Sequence, residues 1–337
     1  MLQPEINGRR LDRQVLNRIM LSVGLLCAIS AAGQDKPAVF QTTTELVLVD
    51  VQVLHSKTRT STASLRPADL HLYEDGVRQE IRHFARDEAP LSVLLLFDLT
   101  DSVRGVLTKL AEGAVSALGH FKPEDVASVM VYAARVELVD GFTTDRERTV
   151  RAIGRAATMK SGEPAHFNEA IYRAAQQLGE SSNPLSRRVV IWLTDNLPNV
   201  PFRKSDSPPH TENEALRALN EEGVTVVPIL MKNRMFLPMV ELMMVFEAPW
   251  RKAYPPGDAH KYAEATGGIA MGLRGKRVDE RLAAVIDDLR SRYTIGYRPS
   301  ESKLAGTFCK LRVELAPDGA LRPREWMVVA RQGYYRK

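Results

Sequence analysis

Four short apolar runs, Val93–Phe97, Val126–Tyr132, Val189–Leu193 and Val224–Leu230, restrict this chain more than any other feature. Each is four to eight residues long with almost no polar alternation, the pattern of a strand covered on both faces. Segments with helical spacing lie between them. Val103, Val106, Leu107, Leu110, Ala114 and Leu118 repeat at three and four, and Phe167–Leu178 is amphipathic. Thr144–Glu147 and Thr211–Glu214 have capping-box spacing, and the second opens a helix that ends at Gly223. A further helix is expected over Arg281–Tyr293, and Val136–Val139 reads as a short edge strand. Strands alternating with helices predict an α/β fold: a doubly wound, mostly parallel sheet with helices on both faces.

The two ends of the chain follow a different pattern. Val47, Val49, Val51 and Val53 alternate with their neighbours in a period of two, and Glu74-Asp75-Gly76 separates strand-like runs over Leu65–Tyr73 and Val77–Ala85. Short strand-like segments return at Lys310–Leu315 and Glu325–Ala330. Neither end holds enough apolar residues for its own core, so they are expected to pair in a small accessory β-module. The expected division is a leader over 1–33, an N-terminal β-module over 34–88, the α/β domain over 89–300, and C-terminal strands over 301–337 that pack with the N-terminal module. A Met-rich stretch over 232–256 interrupts the α/β order and reads as an interaction surface or an ordinary packed helix.

The leader is read from Arg9, Arg10, Arg13 and Arg18, the apolar run Ile19–Ile29 and the small residues Ala31-Ala32-Gly33. A basic segment, a short apolar core and a small-residue exit are the layout of a secretory signal peptide, with cleavage near Ala32 or Gly33. The mature chain is therefore expected to be secreted or periplasmic, with no membrane span. Cleavage removes four arginines and two acids, so the net charge drops by two, from +5 to +3. The remaining charges are interspersed, which argues against a nucleic-acid surface. Of the 2 cysteines only Cys309 would remain, so no intramolecular disulfide and no cysteine-based zinc site can form.

Strand Val93–Phe97 runs into Asp98-Leu99-Thr100-Asp101-Ser102, where a helix is due to begin. Ligands of open α/β sheets sit outside the carboxyl ends of the strands. Asp98, Thr100 and Ser102, at alternate positions, offer three oxygens to one side of that loop, the donor set of a hard divalent cation. Val189–Leu193 ends likewise in Thr194-Asp195, which brings a second carboxylate to the same edge if the strands are neighbours. The alternative is that Asp98 and Ser102 merely cap the helix.

These motifs, Asp98-x-Thr100-x-Ser102 and Leu193-Thr194-Asp195, resemble the metal-ion-dependent adhesion site of von Willebrand factor type A domains. The segments Leu46–Val53, Leu70–Gly76, Ala263–Gly268, Tyr293–Tyr297 and Gly333–Tyr335 resemble the VWFA-related family found mainly in acidobacteria. The resemblance implies that Asp98, Thr100, Ser102 and Asp195 hold Mg²⁺ (or Mn²⁺ or Ca²⁺), and that an acidic side chain of a protein partner completes the shell. It also implies a threonine before the third helix, where this chain has Ala165. Glu163 and His166 are the candidates to compensate from that loop.

The sequence holds none of the nucleophile-elbow, zincin, Walker or dinucleotide glycine motifs, and its seven histidines show no metal-ligand spacing. The expected function is therefore an adhesion-type binding module and not an enzyme. The alternative is a structural or assembly module whose metal site is degenerate.

Overall fold

The computed structural model describes residues 46–62, 64–86, 89–160, 165–181, 183, 186–196, 210–231, 258–273, 278–300 and 303–337. The expected leader, Glu163 and the Met-rich stretch lie outside them. Everything described here falls in one compact unit, Glu45–Lys337.

The central sheet has six strands. In chain order these are β5 (Leu91–Asp98), β6 (Val126–Tyr132), β7 (Val136–Thr143), β8 (Arg187–Thr194), β9 (Thr225–Leu230) and β10 (Met271–Gly272). Their spatial order is β10-β9-β8-β5-β6-β7, all parallel except β7, which runs antiparallel at the edge. The chain starts in the middle at β5, moves outward through β6 and β7, then crosses back to β8 on the other side. The switch therefore lies between β5 and β8, where a crevice opens at the carboxyl ends.

Helices α1 (Asp101–Ala117), α2 (Arg146–Thr158), α3 (Phe167–Ser181), α4 (Glu212–Glu222), α5 (Ala259–Thr266) and α6 (Val278–Arg290) cover the sheet. Residue parity along β5 decides which helices meet which side chains. Val93, Leu95 and Phe97 belong to one buried cluster with Leu107 and Leu110 of α1, Ile153 of α2 and Leu282 of α6. Leu94 and Leu96 belong to the opposite cluster with Ile171 and Leu178 of α3, Leu219 of α4 and Tyr262 of α5. All eight residues of β5 are buried, as its unbroken apolar run requires.

Helix ends follow local chemistry. The capping box at α4 is formed: Thr211 Oγ1 accepts from Glu214 N at 3.3 Å and Thr211 N donates to Glu214 Oε2 at 2.7 Å. Gly223 ends that helix in the left-handed region (φ +64°). At α2 the cap is Asp145, not Thr144, because the Asp145 carboxylate accepts from Arg148 N at 3.0 Å. The last helix stops at Arg290, and Tyr293 opens a strand. A side chain on Gly268 would overlap the Val226 carbonyl, and Gly267 ends α5 at φ +73°.

Two four-stranded sheets accompany the central one. The first has the order β13 (Trp326–Ala330), β1 (Val47–His55), β11 (Tyr293–Tyr297), β4 (His83–Ala85). The second has the order β14 (Gly333–Tyr335), β12 (Phe308–Leu315), β2 (Leu70–Glu74), β3 (Val77–Gln79). Val49, Val51, Ile295 and Tyr297 of the first share a buried cluster with Leu72, Cys309, Leu311 and Tyr334 of the second. The run Val77–Ala85 is thus two strands in two sheets. Tyr293–Tyr297, inside the 89–300 range, pairs with β1 and β4.

Candidate functional site

Asp98 is the last residue of β5 and lies in register with Tyr132, the last residue of β6. On the other side Phe97 pairs with Leu193, which sets Thr194 of β8 beside Asp98. Side chains alternate across a sheet, so Asp98, Tyr132 and Thr194 point to the same face, with Trp192 one step below. The resulting hydrogen bonds follow from that register. Tyr132 donates its hydroxyl to Asp98 Oδ2 at 2.8 Å, Thr194 Oγ1 donates to the same oxygen at 2.8 Å, and Trp192 Nε1 donates to the Tyr132 oxygen at 2.9 Å. The other carboxylate oxygen, Oδ1, accepts from Thr100 N at 2.9 Å and Thr100 Oγ1 at 2.7 Å.

Asp98 is 3% exposed and takes four donors, about as many as a carboxylate has lone-pair sites. All of these donors are neutral. Burial pushes the Asp98 carboxyl above its ordinary range, the Thr100 donors pull it back, and the nearby charge of Asp195 pushes it further up. Burial, followed by the Asp98 charge, likewise drives the Tyr132 phenol far up.

Thr100 is the N-cap of α1, yet its side chain makes no cap bond to the helix. Its single hydroxyl hydrogen goes to Asp98, so in the 3.0 Å contact between Thr100 Oγ1 and Ser102 Oγ the serine is the donor. The Thr100 hydroxyl is thus turned so that oxygen, not hydrogen, is the group offered away from Asp98. Asp195 follows Thr194 at the end of β8 and is half-buried. Asn196, in the left-handed region (φ 54°), turns the chain there. Its side chain accepts from Ala259 N at 2.9 Å and donates to Asp258 at 3.2 Å, which ties this loop to the start of α5.

The donor chemistry fits a small hard cation. Metal–oxygen bonds of about 2.0–2.1 Å in an octahedron place neighbouring ligands about 2.9 Å apart. The Thr100 and Ser102 oxygens, 3.0 Å apart, meet that spacing once the serine hydroxyl turns its hydrogen away from Thr100. Ala165 supplies no oxygen and is buried in the apolar cluster that holds Tyr132 and Trp192. His166 beside it lines a cavity of about 530 Å³ with Glu169 and Arg173. Burial works to raise the Glu169 carboxyl, but donors from His210 and Arg173 more than offset it and hold it below the ordinary range. Asp101 is exposed and paired with Arg104 at 3.2 Å.

A second polar cluster sits in the accessory sheets. Glu74, Asp75 and Cys309 bring one ligand-type atom each within 4.8 Å of one another, the one such group of His, Cys, Asp and Glu side chains found among the described residues. Lys303 lies among them: its ammonium donates to Glu74 Oε1 at 2.9 Å, to Asp75, and lies 3.6 Å from Cys309 Sγ. Those bonds, from Asp75 first and then Glu74, push the lysine pKa up. The sequence offered no signal for this cluster, because Lys303 and Glu74 are 229 positions apart. In the sequence Tyr132 and Trp192 read as strand core. Their role is visible only once β5, β6 and β8 are in register.

Residues 93–197 match the von Willebrand factor type A domain model, a span that holds Asp98, Thr100, Ser102 and Asp195. No curated protein matches the sequence. Among solved structures the chain is similar to a von Willebrand factor type A protein from Catenulispora acidiphila, at 11% identity, with 87% of this chain and 75% of that one covered and a TM-score of 0.45. It is similar to the conserved hypothetical protein BatB from Bacteroides thetaiotaomicron, at 14% identity, covering 59% and 97%, TM-score 0.42. It is also similar to manganese-loaded TRAP protein from Plasmodium vivax, at 11% identity, covering 78% and 98%, TM-score 0.41. No helix among the described residues is long and apolar enough to cross a membrane.

Proposed function

Given that the chain carries a von Willebrand factor type A domain over residues 93–197, we propose that it is an extracytoplasmic binding module and not an enzyme. In this reading its Asp98 loop holds a divalent cation and receives an acidic side chain from a protein partner. The leader over 1–33 and the accessory module from the two chain ends are part of the same proposal. The observation that carries it is the pair of hydroxyl oxygens of Thr100 and Ser102, 3.0 Å apart, the first of them held by a buried carboxylate with only neutral donors around it.

Thr100 and Ser102 would hold the ion directly. Asp98, its lone pairs already occupied, orients Thr100 and supplies negative charge from below, and Asp195 adds charge from the end of β8. A bound divalent ion concentrates positive charge at the rim and so selects a carboxylate. Tyr132, Thr194 and Trp192 keep the Asp98 carboxylate in one orientation.

Isothermal titration of the purified chain with Mg²⁺, Mn²⁺ and Ca²⁺ tests this. A saturable 1:1 isotherm for at least one ion, lost in Asp98→Ala, is the expected result; silence for all three contradicts it. Ala165 favours a second reading, a metal-independent assembly module with a degenerate site. Ala165→Thr separates the two. If it creates an isotherm that the native chain lacks, the scaffold survives and the natural protein works without the ion.

A further inference from the structure

At the opposite end of β8 from Thr194 the structure encloses a cavity of about 380 Å³, walled by β1, the start of β8, the end of α4 and Arg331. Arginines dominate its polar lining. Arg187 is 7% exposed and fully engaged: its Nε donates to Asp50 at 3.2 Å, and its Nη atoms donate to the carbonyls of Leu289 and Arg292 and to Thr294 Oγ1. It is a structural fastener between the central sheet and β11.

Arg188 and Arg331 are different. Arg188 gives Nη1 to the Glu222 carbonyl at 2.9 Å and to its carboxylate at 3.2 Å, while its buried Nε has no acceptor. Arg331 gives Nη2 to the Leu48 carbonyl at 2.7 Å, and its buried Nε also has none. The Arg331 guanidinium lies over the Tyr334 ring, its Cζ 5.6 Å from the centroid. Both Nε atoms are shut off from solvent and so from the cavity; the donors left for a ligand there are Arg188 Nη2 and Arg331 Nη1, which have no acceptor among the described residues.

The charge balance agrees. Asp50 is ion-paired to Arg187, and it is also the foremost opposing charge for the half-buried Arg331 and for the buried Arg292 behind the cavity. Burial lowers the pKa of both of these guanidiniums, against the charge of Asp50 and, for Arg292, that of Asp288. Of the other charged wall residues, Glu222 is held by Arg188, and Lys337 also lines the cavity.

We propose that this cavity is a binding site for a phosphate-class oxyanion, gripped between Arg188 and Arg331. Guanidinium forks match tetrahedral oxyanions through paired N–H donors, and such charge-assisted bonds are the strong ones. Gly223, also in the lining, is required by its left-handed backbone at the end of α4 (φ +64°) and not by crowding from Arg331. The site is separate from the Asp98 loop and needs no metal.

The test is titration of the native chain in EDTA with inorganic phosphate, with glycerol 3-phosphate, and with phosphatidylcholine vesicles containing phosphatidic acid. Sodium chloride at matched ionic strength is the reference. The expected result is saturable binding beyond the chloride effect, weakened at least tenfold in Arg331→Gln and in Arg188→Gln, and unchanged in the exposed control Arg322→Gln. Inorganic phosphate binding identifies a free anion as the ligand, whereas vesicle binding alone, lost in the same variants, identifies a lipid headgroup. Should Arg331→Gln not fold, Arg331→Lys is expected to fold and to bind less tightly than the native chain. A response no larger than chloride in all three titrations overturns the proposal, as does equal binding by native protein and both Gln variants.

Discussion

Asp98 and Glu74 are both strand-terminal carboxylates, 3% and 2% exposed, and they are compensated in opposite ways. Glu74 has a cation built in, the Lys303 ammonium at 2.9 Å, which Asp75 shares. Asp98 is held by hydroxyls and one backbone N–H, with a second acid, Asp195, acting on it. Dipoles orient a buried charge but do not neutralise it, and a like charge nearby adds to the cost. The Lys303 cluster therefore carries its own counter-ion, whose ammonium fills the place a metal would take, although Glu74 Oε2 is left without a donor. The Asp98 cluster has its hydrogen bonds filled but no counter-ion among its donors, which is the opening for the proposed cation.

The largest effect is expected on the self-compensated side. Lys303→Met leaves Glu74 buried without its counter-ion and should cost about 3 kcal/mol near neutral pH, read by urea unfolding. Because Lys303 has its pKa raised in the folded state, the native pair contributes fully below the lysine's ordinary pKa and is lost as pH rises through the raised one. A loss under about 0.5 kcal/mol would mean that Glu74 does not depend on the ammonium, and the contrast with Asp98 would collapse.

Tyr132→Phe comes next. It removes one of Asp98's four donors and leaves Trp192 Nε1 without its acceptor, for a cost of about 1–3 kcal/mol. It should also weaken any Mg²⁺ response by disordering the carboxylate. A variant that loses stability but binds the ion as before would assign the phenol a purely structural role.

The smallest effect is expected from Asp98→Asn without metal: a change within about 1 kcal/mol, because the lost hydrogen bonding is set against relief of a buried charge. Chemical denaturation in EDTA reads this. A loss of 3 kcal/mol or more would show that the charge is already compensated within the protein.

Much of the fold was legible because it depends on local pattern. The buried strands follow from unbroken apolar runs such as Val93–Phe97, and α4 follows from Thr211, Glu214 and Gly223, whose roles are fixed within a few residues of themselves. Errors arose where distant partners decide. Val77–Ala85 looks continuous but divides because β3 pairs with β2 while β4 pairs with β11. Tyr293 has helical spacing with the residues before it, yet pairing with Val51 takes it into β11. The Asp98 loop could be found from its residue types and its place after a strand. The support beneath it could not, since Tyr132 and Trp192 read as core until three strands are aligned. The Lys303 cluster is illegible for the same reason.

The central claim is that the buried Asp98 charge calls for a cation, and the pH dependence of metal stabilisation tests it most directly. With its folded pKa raised, Asp98 costs the metal-free protein nothing at pH values below its ordinary pKa, and the cost grows as pH rises through the raised value. A cation removes that cost only where the carboxylate is ionised. Melting temperatures with and without Mg²⁺ at about 100 times its Kd should therefore differ by about 5 °C or more at pH 8, by progressively less toward pH 4, and not at all in Asp98→Asn. A melting temperature indifferent to Mg²⁺, Mn²⁺ and Ca²⁺ at every pH, or a shift that survives Asp98→Asn, would contradict the account.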